Sequence, residues 1–343
     1  GDTLQSGLRR LVQSEFLYQA SLYPENEYAF KHPLTREVAY ASLLRERRRA
    51  LHAEVATALQ ALAGDTVDQR APLIAHHWEQ AGRALEAARW HARIADRLGW
   101  NVGEAIVHWR KVTELLGEER DVPEARALLG QARARLVYAA GRNAVPEAEV
   151  AQLFAEARLE LGDSDSRELA VTLASYAIVR SAAGHVEEAQ RLIADALAMA
   201  RRLDHPDLIA MSLVSSSSVY PWSEWPDMAA QIVLEINSLY AANPSVGEKL
   251  GGARSGVIAA GLDLLALFHR GHGAEVEASL AECRRRIGDS RNPMEQVWLN
   301  YCATVVRARQ GDASGALEHG RQTLEWSMQL QNLWFRLLGH AAR

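Results

Sequence analysis

The chain has 343 residues, 48% of them hydrophobic and 24% charged, which supplies a large buried core and excludes both a disordered chain and one dominated by membrane-spanning runs. Thirty-eight Lys and Arg stand against 43 Asp and Glu, a formal net charge of −5, which argues against a surface dedicated to coating nucleic acid. The only two cysteines, Cys283 and Cys302, form no CxxC pair and no Cys/His set at zinc spacing, so neither a disulfide framework nor a structural zinc site is expected, and a reducing, cytoplasmic setting fits.

In chain order, Gln5–Val12 reads as an amphipathic helix, and the segments Glu15–Ser21 and Glu27–Lys31 alternate in strand fashion around Pro24, Glu25 and Asn26. A helix followed by a β-hairpin predicts the second half of a winged-helix domain, ending near residue 45, and a further helix is expected over Leu34–Leu44. From about Arg45 the sequence reads as helix after helix, with apolar residues at three- and four-residue spacing and Gly, Pro or Asp at the breaks.

The helical remainder, 46–343, carries a recurring unit. One helix ends in Gly, and a second carries Ala, a bulky residue four later and a small or medium residue three after that. Gly82, Ala87, His91 and Ile94 fit, as do Gly184, Ala189, Ile193 and Ala196. Weaker copies are Gly271, Val276, Leu280, Cys283 and Gly311, Ala316, Gly320, Thr323, and Gly141 with Val150, Phe154 and Ala157 after a longer turn. One unmarked hairpin is expected between Gly184 and Gly271. Glycine tolerates the left-handed backbone just past a helix end, and alanine lets two helices approach closely. A single hairpin leaves one apolar face wet, so stacking is required and an α-solenoid with an inner groove is predicted. Asn332–Arg343, with Trp334, Leu337 and Gly339, reads as the first helix of another hairpin, so both ends of the array are expected to be cut.

This pattern resembles the tetratricopeptide repeat family, most clearly over Leu173–Ala196 and over Ala75–Ile94, where Trp78 occupies the family's aromatic position. The most specific stretch is Tyr28–His52. Its Phe30, His32, Leu34, Ala39-Tyr40, Leu43-Leu44, Arg47 to Arg49 and Leu51-His52 resemble the segment that follows the nucleotide-binding core of bacterial STAND ATPases, especially those joined to class III adenylate or guanylate cyclases. The resemblance implies an upstream ATPase core using ATP or ADP and magnesium. It also implies a nucleotide-sensing contact at His32, where related proteins place a histidine against the β-phosphate of ADP. Here Pro33 replaces the family's aspartate, and the alternative reading is that His32 caps or packs at the start of the Leu34–Leu44 helix.

No catalysis is expected within these residues: GGARSG at 251–256 lacks the Gly-Lys-Ser/Thr of a phosphate loop, and no strand-rich domain is available for paired metal-binding aspartates. His76 and His77 are adjacent on a helix and so on different faces, which disfavours a metal site. His269 and His272 flank a turn glycine and read as solvated. The Arg45, Arg47, Arg48 and Arg49 cluster is interrupted by Glu46 and faces Glu54, so a solvated or domain-contacting face is favoured over nucleic-acid binding. Tyr220, Trp222 and Trp225, set among Pro221 and Pro226, form either a satellite core cluster or an exposed aromatic anchor for a partner.

The function these features imply is that of a non-catalytic sensor arm, taking a protein, peptide or small effector in the groove and regulating upstream domains, with no membrane and no direct nucleic-acid partner. The alternative is the inducer-sensing repeat domain of an ATP-dependent transcription activator. An upstream cyclase would favour the first, a downstream helix-turn-helix the second.

Overall fold

A computed structural model describes residues 2–21, 26–98, 102–119, 121–140, 145–219, 225–330 and 340. The chain divides into two compact units, Gly1–Ala87 and Ala88–Arg343. The fold is all-α with one short β-hairpin, as the sequence predicts.

The first unit opens with α1 (Asp2–Gln13), the antiparallel strands β1 (Leu17–Ser21) and β2 (Glu27–Phe30), and α2 (Pro33–Ala41). Leu17 pairs with Phe30 and Tyr18 with Ala29, and a bulge falls between Gln19 and Ser21. The helix expected over Leu34–Leu44 ends earlier. Ser42 Oγ donates to the Ala39 carbonyl at 2.7 Å, and the extended Leu44 separates α2 from α3 (Arg45–Ala63). A 3-10 turn at Gly64–Thr66 leads into α4 (Val67–Gln80), whose Ala71, Ile74 and Ala75 are buried. Trp78 is half-buried and donates its indole N–H to Gln60 Oε1 at 3.2 Å across this helix pair.

The second unit begins within α5 (Ala84–Leu98) and continues through α6 (Val102–Leu116), α7 (Pro123–Ala140), α8 (Glu147–Leu161), α9 (Arg167–Ala182) and α10 (Val186–Arg202). It is completed by α11 (Pro206–Ser216), α12 (Trp225–Ala242), the single turn α13 (Glu248–Gly251), α14 (Ser255–His269), α15 (Gly273–Ile287), α16 (Pro293–Arg309) and α17 (Ala313–Ser327). The pair α11 and α12 is the hairpin expected without a marker glycine. Gly141 and the helix expected over Asn332–Arg343 lie outside the described residues, apart from the isolated His340.

The second unit is organised in two rows. The first helices α7, α9, α11, α14 and α16 pack one on the next, while α8, α10, α15 and α17 return onto their own partners and α12 packs on α14. Burial follows the rows: α9 buries every residue from Leu169 to Ala177, whereas α10 buries only Ala189, Ile193, Ala196, Met199 and Ala200. The first row is therefore the centre of the core, and the second row is an amphipathic cover.

Most repeat positions behave as their spacing predicts. Ala189, Ile193 and Ala196 are 0 to 2% exposed, and Val276, Leu280, Cys283, Val150 and Ala157 are likewise buried. Three positions differ: Ile94, Phe154 and Ala316 are only half-buried, and beside Ile94 the neighbouring Ala95 takes the inward place. Gly184 shows why glycine closes the first helix. At φ +90° it allows His185 N–H to reach back to the Arg180 carbonyl and its own N–H to reach Ser181, and the same pair of bonds recurs around Gly82, Gly271 and Gly311.

Candidate functional site

Three places bear on function. The first is an apolar face on residues 1–44 of the first unit, where no residue is buried among those whose exposure is described. Leu4 is 68%, Leu34 70%, Val38 62% and Leu44 80% exposed, and Phe16, Tyr18 and Phe30 of the hairpin are also exposed. On the hairpin Tyr18 and Phe30 lie on opposite sides, because Phe30 pairs with Leu17 and Tyr18 with Ala29, and nothing in the unit covers either. His32 stands at the edge of this face as the residue before α2. Its backbone is extended and its carbonyl accepts the Thr35 N–H at 3.1 Å, while its exposed ring makes no capping bond. Pro33 occupies the first helical position, where a missing N–H costs nothing.

The second place is a shallow depression on the first-helix row of the second unit, lined by Gln131, Ala134 and Arg135 of α7 and Arg167, Glu168 and Val171 of α9. Arg135 reaches Asp96 of α5 at 3.5 Å. Burial pushes the Asp96 carboxyl up, against the opposing pull of the Arg135 and Arg167 cations. The two guanidinium groups thus already face the Asp96 carboxylate, with Glu168 beside them, so the depression is balanced in charge.

The third is a polar chain in the first unit. Tyr40 Oη lies 2.9 Å from His52 Nε2, and His52 Nδ1 lies 2.8 Å from His77 Nδ1. A similar nitrogen pair joins His91 of α5 to His108 of α6 at 2.9 Å. Sequence reading met His52 only as part of a motif and His77 only as half of a disfavoured metal pair with His76. The signal available was a histidine on each of two consecutive helices, but the register that brings them together is set by packing.

The remaining sequence candidates are dispersed. Tyr220 and Trp222 lie outside the described residues, and Trp225 is the first residue of α12. His76 is exposed while His77 is half-buried. Among the described residues no group of three or more His, Cys, Asp or Glu is placed to hold a metal ion. His269 and His272 are exposed, and His272 Nδ1 sits 3.0 Å from Glu275. Arg47 lies 3.8 Å from Glu54, and the Arg48 guanidinium stacks 5.1 Å over the Tyr40 ring. Cys283 and Cys302 share one buried cluster, where burial pushes the Cys283 thiol up to about 12 and Cys302 well above its ordinary value. Neither is a reactive thiolate near neutral pH.

The glycine turn at 251–256 is held from within. Glu295, fully buried, accepts the Arg254 backbone N–H at 2.9 Å and its Nη2 at 2.6 Å, so a carboxylate already occupies the amide that a phosphate would need. No described helix is long and apolar enough to cross a membrane.

No family model matches the chain, and no curated protein matches it.

Proposed function

We propose that the chain is a non-catalytic sensor and protein-interaction arm of a multidomain signalling ATPase of the cyclase-associated kind. The observation that carries this reading is the uncovered apolar face of residues 1–44. A helix, a hairpin and a second helix, none of which buries an apolar side chain among the described residues, leave exposed apolar surface of the kind that another domain covers. The resemblance of Tyr28–His52 to the segment after a STAND nucleotide core supplies the identity of that domain: an ATPase core binding ATP or ADP with magnesium, toward which His32 is free to point. The first-helix row of the second unit is the recognition surface. Its depression at Arg135, Arg167 and Gln131 is too small to hold a ligand by itself, so a protein, peptide or small effector would lie across the row.

The test mixes the chain with the polypeptide encoded immediately upstream. A one-to-one complex is expected, and Leu34→Asp with Val38→Asp should abolish it while leaving the melting temperature of the isolated chain unchanged. Equal binding by wild type and variant, or ADP or cyclic nucleotide formed from magnesium ATP by the chain alone, would contradict the reading.

A further inference from the structure

Tyr40, His52 and His77 join three helices of the first unit through their side chains, α2 to α3 to α4. The Tyr40 and His52 rings meet edge-on with centroids 5.9 Å apart, and the His52 and His77 rings are tilted at 5.0 Å. A hydrogen bond between two imidazole nitrogens needs one donor and one acceptor, so only one proton fits between the Nδ1 atoms.

Counting protons along the chain gives three states. With both histidines neutral, Tyr40 O–H donates to His52 Nε2, and His52 Nδ1–H donates to His77 Nδ1. With one proton added, His77 Nδ1–H donates to His52 Nδ1, and His52 Nε2–H donates to the Tyr40 oxygen, so the chain persists with its direction reversed. With a second, both Nδ1 atoms carry hydrogen, and two N–H groups of two cations would face each other across 2.8 Å. That arrangement cannot persist, and one ring must leave.

We propose that Tyr40, His52 and His77 form a proton-operated latch, which holds α2 on the α3 and α4 pair until the second proton arrives and then releases it. The titratable and charged groups facing the pair all oppose that proton. Arg48 of α3 stacks on Tyr40 of α2, and His76 of α4 lies 6.3 Å from His52 and 5.6 Å from His77, centroid to centroid. Burial, followed by His76 and Arg48, holds His52 below the ordinary histidine range; burial, followed by His52 and His76, does the same for His77. For histidines lowered in the folded state, the linkage has one sign. The latch is complete above the ordinary histidine pKa, survives the first proton, and is lost as pH falls through the second, lower step. Because α2 carries Leu34 and Val38, release would move part of the exposed apolar face.

The test uses the chain labelled with ¹⁵N-histidine, together with hydrogen exchange of α2 corrected for the intrinsic pH dependence. Resonances of His52 and His77, assigned through His52→Asn and His77→Asn, should titrate in two separated steps below the range of free histidine. Protection of α2 should fall at least about tenfold across the second step, the equivalent of one pKa unit. His76→Gln, which removes one of the groups opposing the second proton, should keep the two steps and move them to higher pH. His77→Asn, whose carboxamide accepts the same bond without taking a proton, should keep α2 protected in acid. Should that variant fail to fold, Tyr40→Phe gives the second reading: α2 protection low at every pH. Independent single-step titration of the two histidines would overturn the proposal. So would α2 protection that is flat in the wild type, acid release of α2 in His77→Asn at the wild-type pH, or a wild-type profile in Tyr40→Phe.

Discussion

Glu295 shows how much one side chain can hold in place. It joins α16 to the turn before α14 through the Arg254 backbone and guanidinium, and Ser290 Oγ donates to its second oxygen at 2.7 Å. Burial pushes its carboxyl up, but the bonds from Arg254 and Ser290 outweigh that and hold it below the ordinary carboxylate range. A carboxyl lowered in this way contributes stability that is complete above its unfolded pKa and lost as pH falls through the folded value. Glu295→Gln, which leaves the Arg254 cation without its partner, is expected to cost about 3–5 kcal/mol at pH 7. The difference should shrink in acid. Urea denaturation at pH 7 and pH 3 measures it, and equal losses at both would refute the assignment. In the repeat core, Ile193→Ala should cost about 2–5 kcal/mol, because the site between two buried alanines has little freedom to collapse.

Helix ends carry the clearest signals at the scale of elements. Gly184, Gly271 and Gly311 sit at φ +77° to +90° and close their helices with the same two backbone bonds, and this was legible because glycine alone takes that conformation without strain. The end of α10 uses the same bonds with Asp204 at φ +47°, a residue whose type gives no such signal, and so the connection into α11 had no marker. Asp204→Gly should therefore raise stability by about 0.5–1 kcal/mol, and Gly184→Ala should lower it by about 1–2 kcal/mol. Midpoint shifts in urea of the opposite sign to either would count against this account of the turns. The helix pattern, the hairpin and the alanine-bulky spacing were likewise readable from period alone. The contact between His52 and His77 was not, since it depends on the register of α3 against α4 and no local rule fixes that register. The depression between α7 and α9 was hidden for the same reason, since Arg135 and Arg167 belong to no motif.

For the molecule as a whole, the sequence established an array whose hairpins need one another, and the second unit meets that need with a central row of first helices buried nearly all round. Residues 1–44 do not meet it. Their periodicity is that of a packed domain, but the partner their apolar sides require is absent from their unit, which is why secondary structure was legible there and tertiary context was not. On the proposed reading, another folded domain covers these apolar side chains. The most direct measurement is hydrogen exchange along the chain, alone and with the upstream polypeptide. Alone, α1, the hairpin and α2 should exchange orders of magnitude faster than α9 and α14, and addition of the upstream polypeptide should slow residues 2–44 selectively. If those residues were as protected as α9 in the isolated chain, or unaffected by the upstream polypeptide, the claim would be wrong.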